Sequence, residues 1–152
     1  MNDVKSLYNL WRENAVRDGD LIKELIEKEA DTEQISDMFY RSLKFGTAGL
    51  RGIIGAGTNR MNVYTVGQAA QGLSDYLNSE FENPTIAIAY DSRIKSELFA
   101  KEAAGVLAAN GIYVYFFPEL VPTPMLSYAV RTLGCSSGII ITASHNPAEY
   151  NG

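Results

Sequence analysis

The chain has 152 residues, 46% of them hydrophobic and 20% charged, with a formal net charge of −5; that is enough for one domain with a real core. The acidic balance argues against a nucleic-acid partner, whose affinity rests on neutralised phosphates, and no run reaches the about 18 apolar residues that a bilayer crossing needs, which argues against a membrane partner. A single cysteine, Cys135, cannot form an internal disulfide, so the expected home is a reducing cytoplasm.

The opening stretch MNDVKSLYNLWREN mixes charge with apolar residues and lacks the hydrophobic core of a signal peptide. Residues 3–44 read as helical, with Leu7, Leu10 and Trp11, then Leu21, Ile22, Leu25 and Ile26, recurring at helical spacing. Asp20 is expected to cap the second helix, and Thr32 with Gln34 and Ile35 to begin a third. No linker composition or repeat sets this region apart. It is expected to be an N-terminal helical extension, 1–44, packed on a main domain, 45–152.

From Phe45 the texture changes. FGTAGLRGIIGAG carries glycines at 46, 49, 52, 55 and 57, too many for a helix and too loose for an unbroken strand. Arg41, Lys44, Arg51 and Arg60 fall in this part of the chain with no acid between them, compatible with a small anionic ligand such as a phosphate ester. Thr65 is expected to open a helix, with Gln68 completing a capping box and Val66, Ala69, Ala70, Leu73 and Leu77 on one face. TIAIAY (85–90) is a predicted strand. SELFAKEAAGVLAAN (96–110) is a predicted helix with Ser96 as N-cap and Gly111 as its stop. IYVYFF (112–117) is a second strand. Thr123-Pro124 opens a helix that ends at Gly134, and GIIIT (138–142) is a third strand.

Apolar strands alternating with helices predict an α/β fold: three layers, helix/sheet/helix, with a largely parallel (mixed) sheet. In such sheets ligands gather beyond the carboxyl ends of the strands. Two polar clusters fall there, Asp91-Ser92-Arg93 and Thr142-Ala143-Ser144-His145-Asn146-Pro147. A serine nucleophile needs a rigid support, a group to take its proton and donors for the developing charge. Strand 138–142 offers the support, and Thr142, the lone His145, Asn146 and the turn amides offer hydrogen bonds. The residues alone leave open that Ser144, Asn146 and Pro147 only shape a turn, with Tyr150-Asn151-Gly152 as a hairpin corner. Adjacent residues on a turn rarely point at each other and no G-x-S-x-G elbow is present, which disfavours a serine hydrolase. An Asp91–Arg93 pair could orient a neighbouring loop. The spacing of glycines 46, 49 and 52 leaves amides open beside the fork of Arg51, although a plain surface turn fits equally. No lysine and hydroxyl follow these glycines, so this is not a nucleotide-binding P-loop. No residue set has the spacing of a complete metal site.

Together FGTAGLRG and TASHNPAEYNG resemble the two N-terminal signatures of the α-D-phosphohexomutase family, with YDSR and VPTP between them. The long helical start resembles the larger phosphoglucomutases and phosphopentomutases of that family. The resemblance covers the whole chain but only the first of the family's four domains, so the chain is expected to be an excised first domain, inactive alone, whose partners are the missing downstream domains and a small phosphosugar. It implies that Ser144 is phosphorylated and passes its phosphoryl group to a hexose monophosphate through a sugar bisphosphate, interconverting hexose 1-phosphate and 6-phosphate of glucose or mannose. His145 would assist proton movement, Arg51 would face the transferring phosphate, and Thr47 and Asn146 would help bind it. Mg2+ would be the cation, with Ser144 giving one ligand through its phosphoryl oxygen, and glucose 1,6-bisphosphate the activator. The alternatives are a phosphopentomutase of the same family and a non-catalytic phosphate-binding module.

Overall fold

The computed structural model describes residues 2–46 and 49–152. Thr47, expected at a phosphate site, lies outside the described residues. The chain divides into two compact units, Met1–Thr65 with Gly152 and Val66–Asn151.

The first unit opens with three helices, α1 (Asn2–Asn14), α2 (Gly19–Glu27) and α3 (Thr32–Phe39). They meet around Leu21, Leu25, Ile35, Met38 and Phe39, all buried. Tyr8 and Trp11 set their rings edge-on to Phe39, and the Tyr8 hydroxyl donates to the Leu25 carbonyl at 2.9 Å. The anticipated apolar stripe is only partly right: Leu10 and Ile26 face solvent, and Tyr8 takes the buried place in α1. The cap of α2 is Asp18, not Asp20, because the Asp18 carboxylate accepts from the Asp20 amide. Asp31 caps α3 by accepting from the Gln34 amide.

The glycine-rich stretch then breaks into short pieces. β1 (Phe45–Gly46) pairs antiparallel with β2 (Gly49–Leu50), and β3 (Gly52–Ile53) follows. Side chains of the helices brace what comes next. Glu24 accepts the Ala56 amide at 2.8 Å, the Met38 carbonyl accepts the Asn59 amide at 3.0 Å, and Asp37 pairs with Arg60. Gly57, at φ +114°, lies so close to Met38 that a Cβ there would sit 2.4 Å from its carbonyl oxygen. Asn62 closes the segment, donating to the carbonyls of Gly55 and Gly57 and accepting from the amides of Tyr64 and Thr65. α4 (Val63–Glu80) therefore starts two residues before the predicted Thr65. Its capping box is Asn62 with Thr65, whose hydroxyl accepts the Asn62 amide in return.

In the second unit β4 (Thr85–Tyr90), α5 (Ser96–Ala109), β5 (Tyr113–Phe116), α6 (Thr123–Leu133) and β6 (Ser137–Ile141) alternate as anticipated. The sheet order is β5-β4-β6 and both pairings are parallel. Strand side chains alternate between faces. Ala87 and Ala89 of β4 meet Leu126 and Ala129 of α6, so Ile86 and Ile88 point the other way, where α5 packs with Phe99, Ala103 and Leu107 buried. This is the predicted three-layer α/β arrangement. Cys135, a free thiol, packs half-buried against the α6 layer. Tyr150–Asn151 are extended (β7) rather than a hairpin corner. Among the described residues no helix is long and apolar enough to cross a membrane.

Candidate functional site

Parallel pairing is what gathers the two polar clusters. Tyr90 at the end of β4 stands opposite Ile141 at the end of β6, and the Asp91 amide donates to the Ile141 carbonyl at 3.1 Å. Asp91-Ser92-Arg93 and the loop from Thr142 onward thus leave the same edge of the sheet side by side.

Asp91 is the hub. One carboxylate oxygen accepts from the Thr142 hydroxyl at 2.6 Å, the other from the Ser96 hydroxyl and the Arg93 amide, both at 3.0 Å. The expected N-cap role of Ser96 is corrected here: the residue before α5 is Lys95, at φ +59° with no side-chain cap, and Ser96 is turned toward Asp91. Ser96 also accepts from the buried Asn151 amide group at 3.0 Å, which donates to the Ile94 carbonyl as well. Thr142 gives its only proton to Asp91, so its oxygen is an acceptor on the other side, where the Ser144 amide donates at 3.0 Å. One chain of hydrogen bonds therefore runs from Asn151 through Ser96, Asp91 and Thr142 to the backbone of Ser144.

Ser144 itself is exposed at the loop tip and left-handed, at φ +54°. A serine in that region is strained by its Cβ and stays there only where the surroundings impose it. Its hydroxyl lies 3.3 Å from Nδ1 of the exposed His145. Adjacent side chains do point at each other here, against the expectation from turn geometry. That proximity does not complete a hydrolase. The other ring nitrogen of His145 meets no orienting carboxylate among the described residues, and the Ser144 and Asn146 amides are engaged, the latter with the Ala143 carbonyl at 3.0 Å.

Arg93 was anticipated only as a partner for Asp91, and that contact is long, 4.0 Å from Nε to Oδ2. Its main work lies elsewhere. Nη2 donates to the carbonyls of Ser144 and Asn146, both at 2.7 Å, and Nη1 to those of Pro147 at 2.8 Å and Tyr150 at 3.1 Å. The only hint in the sequence was a cation at a strand's carboxyl end; nothing local announces four carbonyls more than fifty residues away. Asn146 is half-buried in the same loop. Arg51 belongs to the first unit, exposed between β2 and β3.

The donor set for a magnesium ion is not complete among the described residues. Among the described residues no three histidine, cysteine, aspartate or glutamate side chains form a cluster that could hold a metal. Asp91 has both oxygens committed to its neighbours, and the Ser144 hydroxyl alone is not a Mg2+ site, since that ion demands near-octahedral oxygen ligation.

The chain is similar to known proteins over most of its length. Residues 42–152 match the family model described as phosphoglucomutase/phosphomannomutase, alpha/beta/alpha domain I. A phosphoglucomutase of Staphylococcus aureus (strain bovine RF122 / ET3-1) is 48% identical over 143 residues, which are 94% of this chain and 25% of that protein. Among solved structures, a Thermus thermophilus protein assigned to the phosphomannomutases superposes with a TM-score of 0.68 at 34% identity, over 74% of this chain and 25% of that one. A phosphoglucomutase/phosphomannomutase family protein from Burkholderia thailandensis, with a TM-score of 0.56 and 24% identity over 68% of this chain and 23% of its own, supports the fold alone. The chain spans about a quarter of the length of the curated relatives it matches.

Proposed function

The chain belongs to the phosphoglucomutase/phosphomannomutase family as its alpha/beta/alpha domain I, and from that premise we propose that it is the phosphoserine-bearing first domain of a cytoplasmic phosphosugar mutase. The reaction is the interconversion of a hexose 1-phosphate and a hexose 6-phosphate, with glucose the first sugar to test. The observation that carries this reading is Ser144: an exposed hydroxyl held left-handed at the tip of a parallel strand, beside the one histidine of the chain.

In the forward half, the bond between phosphorus and Ser144 Oγ breaks as one forms to a sugar hydroxyl. The sugar's proton leaves to a base, and Ser144 Oγ takes a proton from His145, 3.3 Å away. In the return half, His145 takes that proton back as the bond to Ser144 Oγ re-forms, and the other sugar oxygen, released from phosphorus, takes its proton from the protonated base. Phosphoryl transfer depends chiefly on positioning and charge neutralisation. Arg51 supplies a permanent positive charge for the transferring group, Thr47 and Asn146 supply hydrogen bonds to it, and glucose 1,6-bisphosphate is the activating intermediate. A phosphoryl oxygen on Ser144 could give one ligand to Mg2+, which would supply charge neutralisation to the transferring group. Residues 1–152 span about a quarter of the length of the relatives, and by themselves they are expected not to turn over substrate.

The test is intact-mass and peptide analysis of the full-length enzyme after incubation with glucose 1,6-bisphosphate. One phosphate on Ser144, absent from Ser144→Ala, is expected. An enzyme that interconverts hexose phosphates while Ser144 stays unmodified would overturn the proposal.

A further inference from the structure

Arg93 is a cation in a family of phosphate-handling proteins, yet its geometry is not that of a phosphate ligand. A guanidinium carries four N–H groups on its two terminal nitrogens. Here they meet four backbone carbonyls, those of Ser144, Asn146, Pro147 and Tyr150, at 2.7–3.1 Å. The side chain is only 16% exposed, and Nε faces Asp91. No terminal donor is left over for a substrate.

Gathering those carbonyls has a stereochemical consequence. In a trans peptide the C=O and the following N–H point in opposite directions, and no peptide bond among the described residues is cis. When the Ser144 carbonyl turns to Arg93, the His145 amide must turn away from it. When the Pro147 carbonyl does so, the Ala148 amide turns away too. Neither amide has a hydrogen-bond partner among the described residues. The Ser144 amide is engaged with Thr142, so it is the His145 amide, one peptide bond further on, that can reach a group carried on Ser144 Oγ.

We infer that Arg93 is a positioning residue for phosphoryl transfer: it holds the loop from Ser144 to Tyr150 closed from behind, keeps Ser144 left-handed, and presents the His145 backbone amide as a donor to the phosphoryl group on Ser144. This rests on the proposed phosphoserine chemistry but adds to it a residue that touches neither substrate nor phosphate. Lysine cannot take its place, because one ammonium cannot span four separated carbonyls.

The experiment compares the full-length enzyme with Arg93→Lys and Arg93→Met, after thermal melts have established that each variant is folded. Amide hydrogen exchange is read first. Both variants should exchange faster at residues 144–151 while β4 and α5 exchange as before. Transfer from glucose 1,6-bisphosphate to Ser144 should then be about 100-fold slower at saturation, the scale of a small misplacement of reacting groups. The half-saturating concentration should stay within about threefold, since Arg93 does not touch the ligand. In wild-type phosphoenzyme the His145 amide proton should move downfield relative to the unmodified enzyme, and that shift should be lost in Arg93→Lys. Unchanged exchange at 144–151 in either folded variant overturns the inference, as does a selective loss of affinity with the saturated rate intact. Should the wild-type enzyme never carry phosphate on Ser144, the proposed function fails instead, and the exchange data still judge the loop.

Discussion

Replacing Thr142 by valine keeps shape and β-branching while deleting one oxygen. Two hydrogen bonds go with it: the donation to Asp91 at 2.6 Å and the acceptance from the Ser144 amide at 3.0 Å. A hydrogen bond to a charged group contributes about 1.5–3 kcal/mol and a neutral one about 0.5–1.5 kcal/mol. Water can reach both partners, since the Asp91 side chain is 30% exposed and Ser144 sits at the surface. The lower ends apply, giving about 2 kcal/mol in all. For a chain of this size that is a fall in melting temperature of about 4–8 °C. Thr142→Ser, which keeps the oxygen and loses a methyl, should cost less than about 1 kcal/mol. The assay is a denaturant or thermal melt of the three proteins. If Thr142→Val melts within about 0.5 kcal/mol of the parent, the chain from Asn151 to Ser144 is not what holds the loop.

Ser144→Gly should remove a left-handed strain of about 1–2 kcal/mol and add back about 0.5–1 kcal/mol of unfolded-state entropy. Calorimetry should therefore show a slightly more stable protein, one that accepts no phosphate. Gly57→Ala adds a Cβ 2.4 Å from the Met38 carbonyl at φ +114°, and should cost about 3 kcal/mol or more, whereas Gly19→Ala, with open space around it, should be neutral or mildly stabilising in the same melt. The Gln34 amide holds the Asp31 carboxyl below its ordinary value of 3.8. The start of α3 is thus fully secured above that pH and released as the pH falls through the lower folded value. An acid titration followed by circular dichroism should show this step in the parent and lose it in Asp31→Ala.

Most of the parallel sheet was legible because its strands are short apolar runs bounded by turn residues, and periodicity decides such segments. The edge where chemistry gathers followed from parallel pairing alone. Caps were harder. Asp18 and Asp20 are equally good acceptors on paper, and the choice falls to the backbone, which turns helical at Gly19. Ser96 offered a local cap, but its proton goes to Asp91 and its oxygen accepts from Asn151. The reach of Arg93 was invisible for a different reason: backbone carbonyls have no sequence signature, so a side chain that binds only carbonyls leaves no second residue to find. The left-handed Ser144 was equally hidden, since the conformation comes from the loop's anchors rather than from serine itself.

The glycine-rich stretch owes its single shape to residues well before it. Glu24, Asp37 and Met38 hold Ala56, Arg60 and Asn59, and the family's domain model begins to match only at residue 42. A shortened protein starting there would keep every glycine and lose every one of those moorings. Glycine gives up more freedom on ordering than any other residue, so the trimmed segment would wander among many conformations, and Arg51, carried on it, would wander too. The leading helices act as a mould, and without them the loop loses the contacts that fix its form.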